Sequence, residues 1–240
     1  FNSFSLSVPN VIIPNPFTNI MRLKLRTKGK AKPIMIRFCY YYGKTEEFSE
    51  YNSDYGLSIE ELDVSRLDTS KMIYSDNMFS MMSNIRYLDV SSWDTRKFLN
   101  LMNMFKFCEK LERLDVSGWN LSDVYSFKGT FWNCFSLSTL DVSGWDTSKV
   151  TDIGNCFGGC TSLSTLTFGE NFGKMKDECG TLDLSTLSAW KNDSVKSLLT
   201  LYDRKANGMG VITIKLHANA KTVLGEDGIA QLTAKGYTIA

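Results

Sequence analysis

The sequence holds a single histidine, His217, only four prolines in 240 residues, and no run approaching ~18 consecutive apolar residues. A lone histidine leaves no Ser-His-Asp arrangement to build, and no C-x-x-C, H-E-x-x-H or phosphate-cradling Gly loop occurs. The missing apolar run excludes a membrane-spanning helix, and the scarcity of proline excludes a collagen or a proline-rich linker. Acidic residues are missing from one region altogether. Phe1–Thr45 contains eight basic residues and no Asp or Glu, so all 26 acidic groups follow it, against 19 of the 27 basic ones. The net charge of +1 therefore hides a basic head on an acidic body. The chain begins with Phe and shows no charged-then-apolar leader, which reads as a mature or trimmed product.

What is present is a repeat. Leu62-Asp63-Val64-Ser65, Leu88-Asp89-Val90-Ser91, Leu114-Asp115-Val116-Ser117, Leu140-Asp141-Val142-Ser143 and Leu166-Thr167-Phe168-Gly169 follow one another at a constant spacing of 26 residues. With each first Leu as position zero, apolar columns recur at positions two (Val64, Val90, Val116, Val142, Phe168), five (Leu67, Trp93, Trp119, Trp145), ten, thirteen, seventeen (Phe79, Phe105, Phe131, Phe157), twenty (Met82, Cys108, Cys134, Cys160) and twenty-three. Steps of three, four and three between positions ten and twenty predict a short helix or a run of 3₁₀ turns. The alternation from zero to two predicts a strand. Asp-Thr-Ser at positions six to eight supplies oxygens to cap the helix start. A unit of 26 residues is too small to enclose a core, so units must stack and share one. The fold predicted is an α/β repeat solenoid, with a parallel sheet on one face and short helices on the other.

The pattern L-D-V-S-x-W-D-T-S-K-V, followed by the Phe, Cys and Leu columns in Leu114–Leu137 and Leu140–Leu163, resembles the repeat of BspA-type leucine-rich-repeat surface proteins of bacteria. In Leu114–Leu137 the D-T-S-K stretch is replaced by Asn120-Leu121-Ser122-Asp123. The resemblance covers about Ile59 to Phe168. The segment Leu182–Ala240 is similar to the closing segment of many such proteins in gut Bacteroidetes and their mobile elements. The resemblance implies a leucine-rich-repeat-like fold, a secreted or cell-surface setting and an adhesive role, and it supplies no catalytic residues.

Three regions follow: a β-rich basic N-terminal cap over residues 1–58, the repeat array over 59–169, and an α/β C-terminal cap over 170–240. Strands are predicted at Ser3–Ile13, Met21–Thr27 and Pro33–Tyr42. Past the array, a helical stripe from Leu187 to Tyr202, a strand at Val211–Leu216, a helix at Gly225–Lys235 and a last strand at Tyr237–Ile239 are predicted.

The candidate binding face is the ladder Asp63, Asp89, Asp115 and Asp141 with Ser117 and Ser143. Their neighbours in sequence point inward, so these point out, on rungs ~4.8 Å apart. Carboxylates at that spacing repel by about 1 kcal/mol per pair in water. Serine, water, a lysine, a cation or a ligand must relieve them. A solvated face is one reading, and a cationic or polyhydroxylated partner is the other; the Gly-rich nonapeptide of calcium-binding β-rolls is missing. The candidate basic patch is Arg22, Lys24, Arg26, Lys28, Lys30 and Lys32, either a solvated edge or a docking surface for acidic groups, a neighbouring copy's ladder included. Cys108, Cys134 and Cys160 share a column with Met82, which predicts buried free thiols, with a disulfide between neighbouring rungs as the alternative. The Trp column predicts core packing, or sugar stacking if it is exposed.

No catalytic residue, cofactor or metal is predicted. The function expected is a non-enzymatic surface interaction or adhesion module that binds a protein or glycan on a host or neighbouring cell. The alternatives are a bacteriophage virion structural or receptor-binding component and a glycan-degrading β-solenoid. Nucleic acid is disfavoured as a partner because the overall charge is balanced and no recognition motif occurs.

Overall fold

The computed structural model describes residues 25–27, 59–65 and 68–240. Strand β1, Leu25–Thr27, lies antiparallel to β2, Ile59–Leu62, with Leu25 opposite Leu62 and Arg26 opposite Glu61. The other strands predicted for the N-terminal region lie outside the described residues.

From Leu62 onward, successive 26-residue units lie parallel. Backbone bridges join Tyr87 to Arg113 and Arg113 to Thr139, and β3, Thr139–Asp141, then pairs with β4, Thr165–Thr167, with Leu140 opposite Leu166. A second row of bridges runs from Tyr74 through Asn100 and Ser126 to Asp152. The zero, two, five, ten, seventeen and twenty-three columns all turn inward and are buried wherever they are described. Phe79, Phe105, Phe131 and Phe157 form a file of stacked rings, with centroids 5.5, 5.7 and 5.8 Å apart. Each described Trp of position five sends its indole N–H back across the stack: Trp93, Trp119 and Trp145 donate to the carbonyls of Val64, Val90 and Val116 at 3.1, 3.0 and 3.3 Å. That burial removes the sugar-stacking reading of the Trp column.

The segment predicted as helix is not one. Residues 68–168 contain no helix, and positions thirteen to twenty form overlapping turns. Alternate N–H groups close the turns within a unit, as Met78 to Ser75 and Ser80 to Asn77, while those between them reach the next unit, as Asn77 to Met102, Phe79 to Met104 and Met81 to Lys106. The geometry requires left-handed backbone at positions fifteen and nineteen. Asn77, Asn103, Gly129 and Asn155 occupy the first, and Met81, Phe107, Asn133 and Gly159 the second, all with φ between 55° and 77°. Asn and Gly accept that conformation readily, and a right-handed helix does not contain it. The 3-4-3 spacing is shared by a helix and by this turn ladder, and the Asn/Gly column separates them. The Asp-Thr-Ser stretch accordingly caps no helix. Asp68, Asp94 and Asp146 each accept the backbone N–H two residues on, from Ser70, Arg96 and Ser148. Thr69 and Thr95 donate to the carbonyls of Asp94 and Asn120 in the next unit at 3.1 and 3.0 Å.

The stacking continues past Gly169 for one further turn of chain. Thr147 N–H reaches Asn171, Ile153 N–H reaches Cys179 and Lys191 N–H reaches Ser164. Beyond it lie α1, Asn192–Lys196, which runs into a 3₁₀ turn at Ser197–Thr200, and a parallel sheet of β5 (Leu182–Leu184), β6 (Ile212–Leu216) and β7 (Tyr237–Ile239) in that order. Helix α2, Ala218–Ala234, breaks at Gly225, whose φ of 61° separates two helical pieces. Arg204 ties this region together. Its side chain is fully buried and donates to the carbonyls of Gly210 (2.8 Å), Gly173 (2.7 Å) and Met175 (2.6 Å) and to the carboxylate of Asp177.

Candidate functional site

The exposed sheet face is built by the alternation around Leu88, Leu114 and Leu140. Because those leucines turn inward, the residues on either side turn out. The outward residues comprise the Asp column and, one residue before each Leu, Tyr87, Arg113 and Thr139. Tyr87 is 60% exposed, the most open aromatic among the described residues. Sequence reasoning passed over Tyr87 and Arg113 because their column changes identity from unit to unit. The signal that finds them is period two, not repetition.

Each Asp is held by its own unit. Asp63 Oδ1 accepts the N–H and hydroxyl of Ser65 at 3.1 and 2.7 Å, Asp89 those of Ser91 at 3.2 and 2.7 Å, and Asp115 those of Ser117 at 3.1 and 2.7 Å. Asp141 accepts the N–H of Ser143 at 2.9 Å. The same two-residue motif recurs beyond the array, where Asp183 accepts from Ser185 at 3.0 and 2.6 Å. The Ser117 hydroxyl, and then its backbone N–H, holds the Asp115 carboxyl below the ordinary carboxylate range, against a small opposing effect of burial. Asp115 is therefore ionised at neutral pH, and the stabilisation from these bonds is present above the ordinary range and lost as pH falls through its lowered value. The serines fix the direction of each carboxylate through its Oδ1.

Of the basic patch, Arg26 falls on β1, in register with Glu61. Arg22, Lys24, Lys28, Lys30 and Lys32 lie outside the described residues, as does Cys39. The structure thus brings the Asp and Ser residues of the candidate face together. Elsewhere on the array, ion pairs cross between units: Arg86 with Glu112 at 2.6 Å, Lys128 with Asp152 at 3.3 Å, and Lys149 with Asp123. These are exposed pairs of small energetic value.

Cys108, Cys134 and Cys160 are free and buried, and each thiol donates to the carbonyl of the Phe in the preceding unit, Phe79, Phe105 and Phe131, at 3.1 Å. Burial pushes the Cys108 and Cys160 thiols up to about 12, and those of Cys134 and Cys156 well up as well. A raised thiol value means that the unfolded chain ionises first. The contribution to stability is complete below the ordinary thiol range and is lost as pH rises through it towards the raised values. The melting temperature is therefore expected to fall between about pH 9 and pH 12, and alkylation at pH 8 followed by peptide mapping should find Cys108, Cys134, Cys156 and Cys160 unmodified in the native protein. Rapid native labelling of these four would show the core between the units open to solvent.

Among the described residues no group of three or more His, Cys, Asp or Glu side chains is arranged to hold a metal ion, and no helix is long and apolar enough to cross a membrane. No curated protein and no solved structure matches the chain. One family model does, over residues 46–168, which takes in the N-terminal strand of the array and every 26-residue unit up to Phe168. That span is just over half of the sequence, and the chain belongs to the family described as Mycoplasma protein of unknown function, DUF285.

Proposed function

We propose that the chain is a leucine-rich-repeat-like solenoid acting as a non-enzymatic interaction module at a bacterial surface, with the sheet face carrying Asp63, Asp89, Asp115 and Asp141 as its ligand-binding side. The observation that carries this reading is the uniformity of the face. Carboxylates of the same orientation recur once per unit on a backbone-paired platform, each aimed by the serine two residues on. Such a row offers equally spaced acceptors to an extended cationic or polyhydroxylated partner, a protein segment or a glycan, and Tyr87 and Arg113 add an aromatic plane and a donor beside it. The BspA-type likeness of the repeat supports a surface setting.

The test is a glycan and protein array probed with the full chain and with an Asp115→Asn, Asp141→Asn double variant. Asparagine retains an oxygen for the serine N–H, so the variant keeps its fold while losing two charges. We expect a ligand class whose signal falls at least tenfold in the double variant. Equal signals for both chains would reject this face, and polysaccharide cleavage lost in the variant would reject the non-enzymatic reading.

A further inference from the structure

Four of the five tryptophans are buried with the indole N–H on a main-chain carbonyl: Trp93, Trp119, Trp145 and, beyond the array, Trp190, which donates to Leu166 at 3.2 Å. Trp132 is the exception. It stands at position eighteen, on the turn-ladder side, only half-buried, and its N–H has no partner among the described residues.

Unit by unit its column reads Ser80, Lys106, Trp132 and Gly158, and the next column reads Met81, Phe107, Asn133 and Gly159. The preceding unit covers the indole: Phe107 meets it at a centroid distance of 5.8 Å, and Lys106 Nζ lies 4.4 Å from its centre. The following unit offers two glycines instead. A Cβ added to Gly158 would stand 3.6 Å from Trp132 Cδ1 and 3.6 Å from Asn155 Cβ, and one added to Gly159 would fall 2.1 Å from Asn133 Oδ1. Gly159 N–H donates to Thr186 Oγ1 at 3.1 Å, in the turn of chain that follows. One layer of side chains is thus missing from the column, which leaves a notch about one rung deep, ~4.8 Å, between Trp132 and Thr186.

The lining of the notch selects its ligand. The indole supplies an electron-rich face and a free donor, and the carboxamides of Asn133 and Asn155 have no partner among the described residues. The Thr186 hydroxyl accepts one N–H and keeps its proton to donate. None of these groups is charged. The ring face attracts C–H groups, while amides and a hydroxyl suit partners that both donate and accept. A saturated ring with C–H groups on one side and hydroxyls around its rim meets all of them, whereas an aromatic or proline ring would leave the amides unused.

We infer that this notch binds a neutral pyranose, its ring stacked on Trp132 above Gly158 and its hydroxyls held by Asn133, Asn155 and Thr186. The site shares no residue with the Asp face and stands or falls separately.

The test is a heteronuclear NMR titration of the full chain. The probes are the methyl glycosides of glucose, galactose, mannose and N-acetylglucosamine, and sorbitol, which has the hydroxyls without the ring, is the control. We expect at least one glycoside to shift the Trp132 indole N–H saturably in the millimolar range, with the four buried indoles unmoved and sorbitol without effect. Gly158→Lys, which repeats the Lys106 of the second unit and covers the ring, should weaken that affinity at least tenfold, while the Asp115→Asn, Asp141→Asn chain should keep it. No shift with any glycoside, an equal shift with sorbitol, or full affinity in Gly158→Lys would overturn the proposal. If Gly158→Lys fails to fold, Asn133→Gly, which matches Gly159 in the same column, is judged by the same readout.

Discussion

Replacing Arg204 by methionine is expected to lower stability by about 3–5 kcal/mol, the largest single-residue loss we predict outside the aromatic file. The side chain is fully buried, and methionine fills most of its volume, so packing alone does not set the cost. What is lost is a set of donors. The guanidinium satisfies three backbone carbonyls that belong to two separate segments, Gly173 and Met175 on one side and Gly210 on the other, and it anchors Asp177, which in turn accepts the Gly210 N–H at 2.9 Å. Each buried carbonyl left without a donor costs about 1–3 kcal/mol. Arg204→Lys should recover little of this, because one ammonium cannot reproduce a planar fork aimed in three directions. Thermal and urea unfolding of both variants will check it; a loss under about 1 kcal/mol for methionine would show that water replaces the guanidinium.

Phe131→Ala is expected to cost about 3–5 kcal/mol by the cavity it opens, with the upper part of that range favoured by its position. Its ring is fully buried and stacks on Phe105 at 5.7 Å and on Phe157 at 5.8 Å, with Trp145 at 6.3 Å. Removing it breaks the file in the middle and leaves two neighbours each short of a face. Phe131→Leu retains most of the apolar contact and should cost about half as much. Near-ultraviolet dichroism should fall in both variants as the Trp145 environment loosens. A loss under about 1 kcal/mol for the alanine variant would place the column at the surface.

The inward columns were legible in the sequence because repetition at a fixed interval removes the ambiguity of any one segment. Val64, Val90, Val116 and Val142 alternate with Asp in a way that only a strand with one covered face explains, and the Phe and Cys columns follow from the same alignment. The turn ladder was not read, since apolar spacing reports which side chains face inward and says nothing of the sign of φ. The information lay in the residues between them, where Asn77, Asn103, Gly129 and Asn155 mark a left-handed position. Arg204 was out of reach for a different reason. It occurs once, in a stretch without periodicity, and its partners are main-chain carbonyls that leave no trace in the sequence. The hydroxyls beside β4 were hidden likewise: Ser194, Ser197 and Thr200 read as ordinary polar positions of a short helix, and only their bonds to the Leu166 and Phe168 main chain give them a task. For the candidate face, the Asp column was legible and its serine clamps were half so, because Asp-x-Ser is a common local turn and its repetition alone marked it.

The backbone bonds that join one unit to the next also decide how the array responds to force. They run along the stack, from Asn77 to Met102, from Asn103 to Lys128 and from Gly129 to Gly154, and not across it. A pull applied between the two ends therefore loads these rows one after another, like a zipper opened from its tab, and never shears many bonds at once. The array should peel unit by unit at low tension and lengthen in equal steps of one repeat. The force it withstands is therefore set by one row of inter-unit bonds at a time, whatever the number of units.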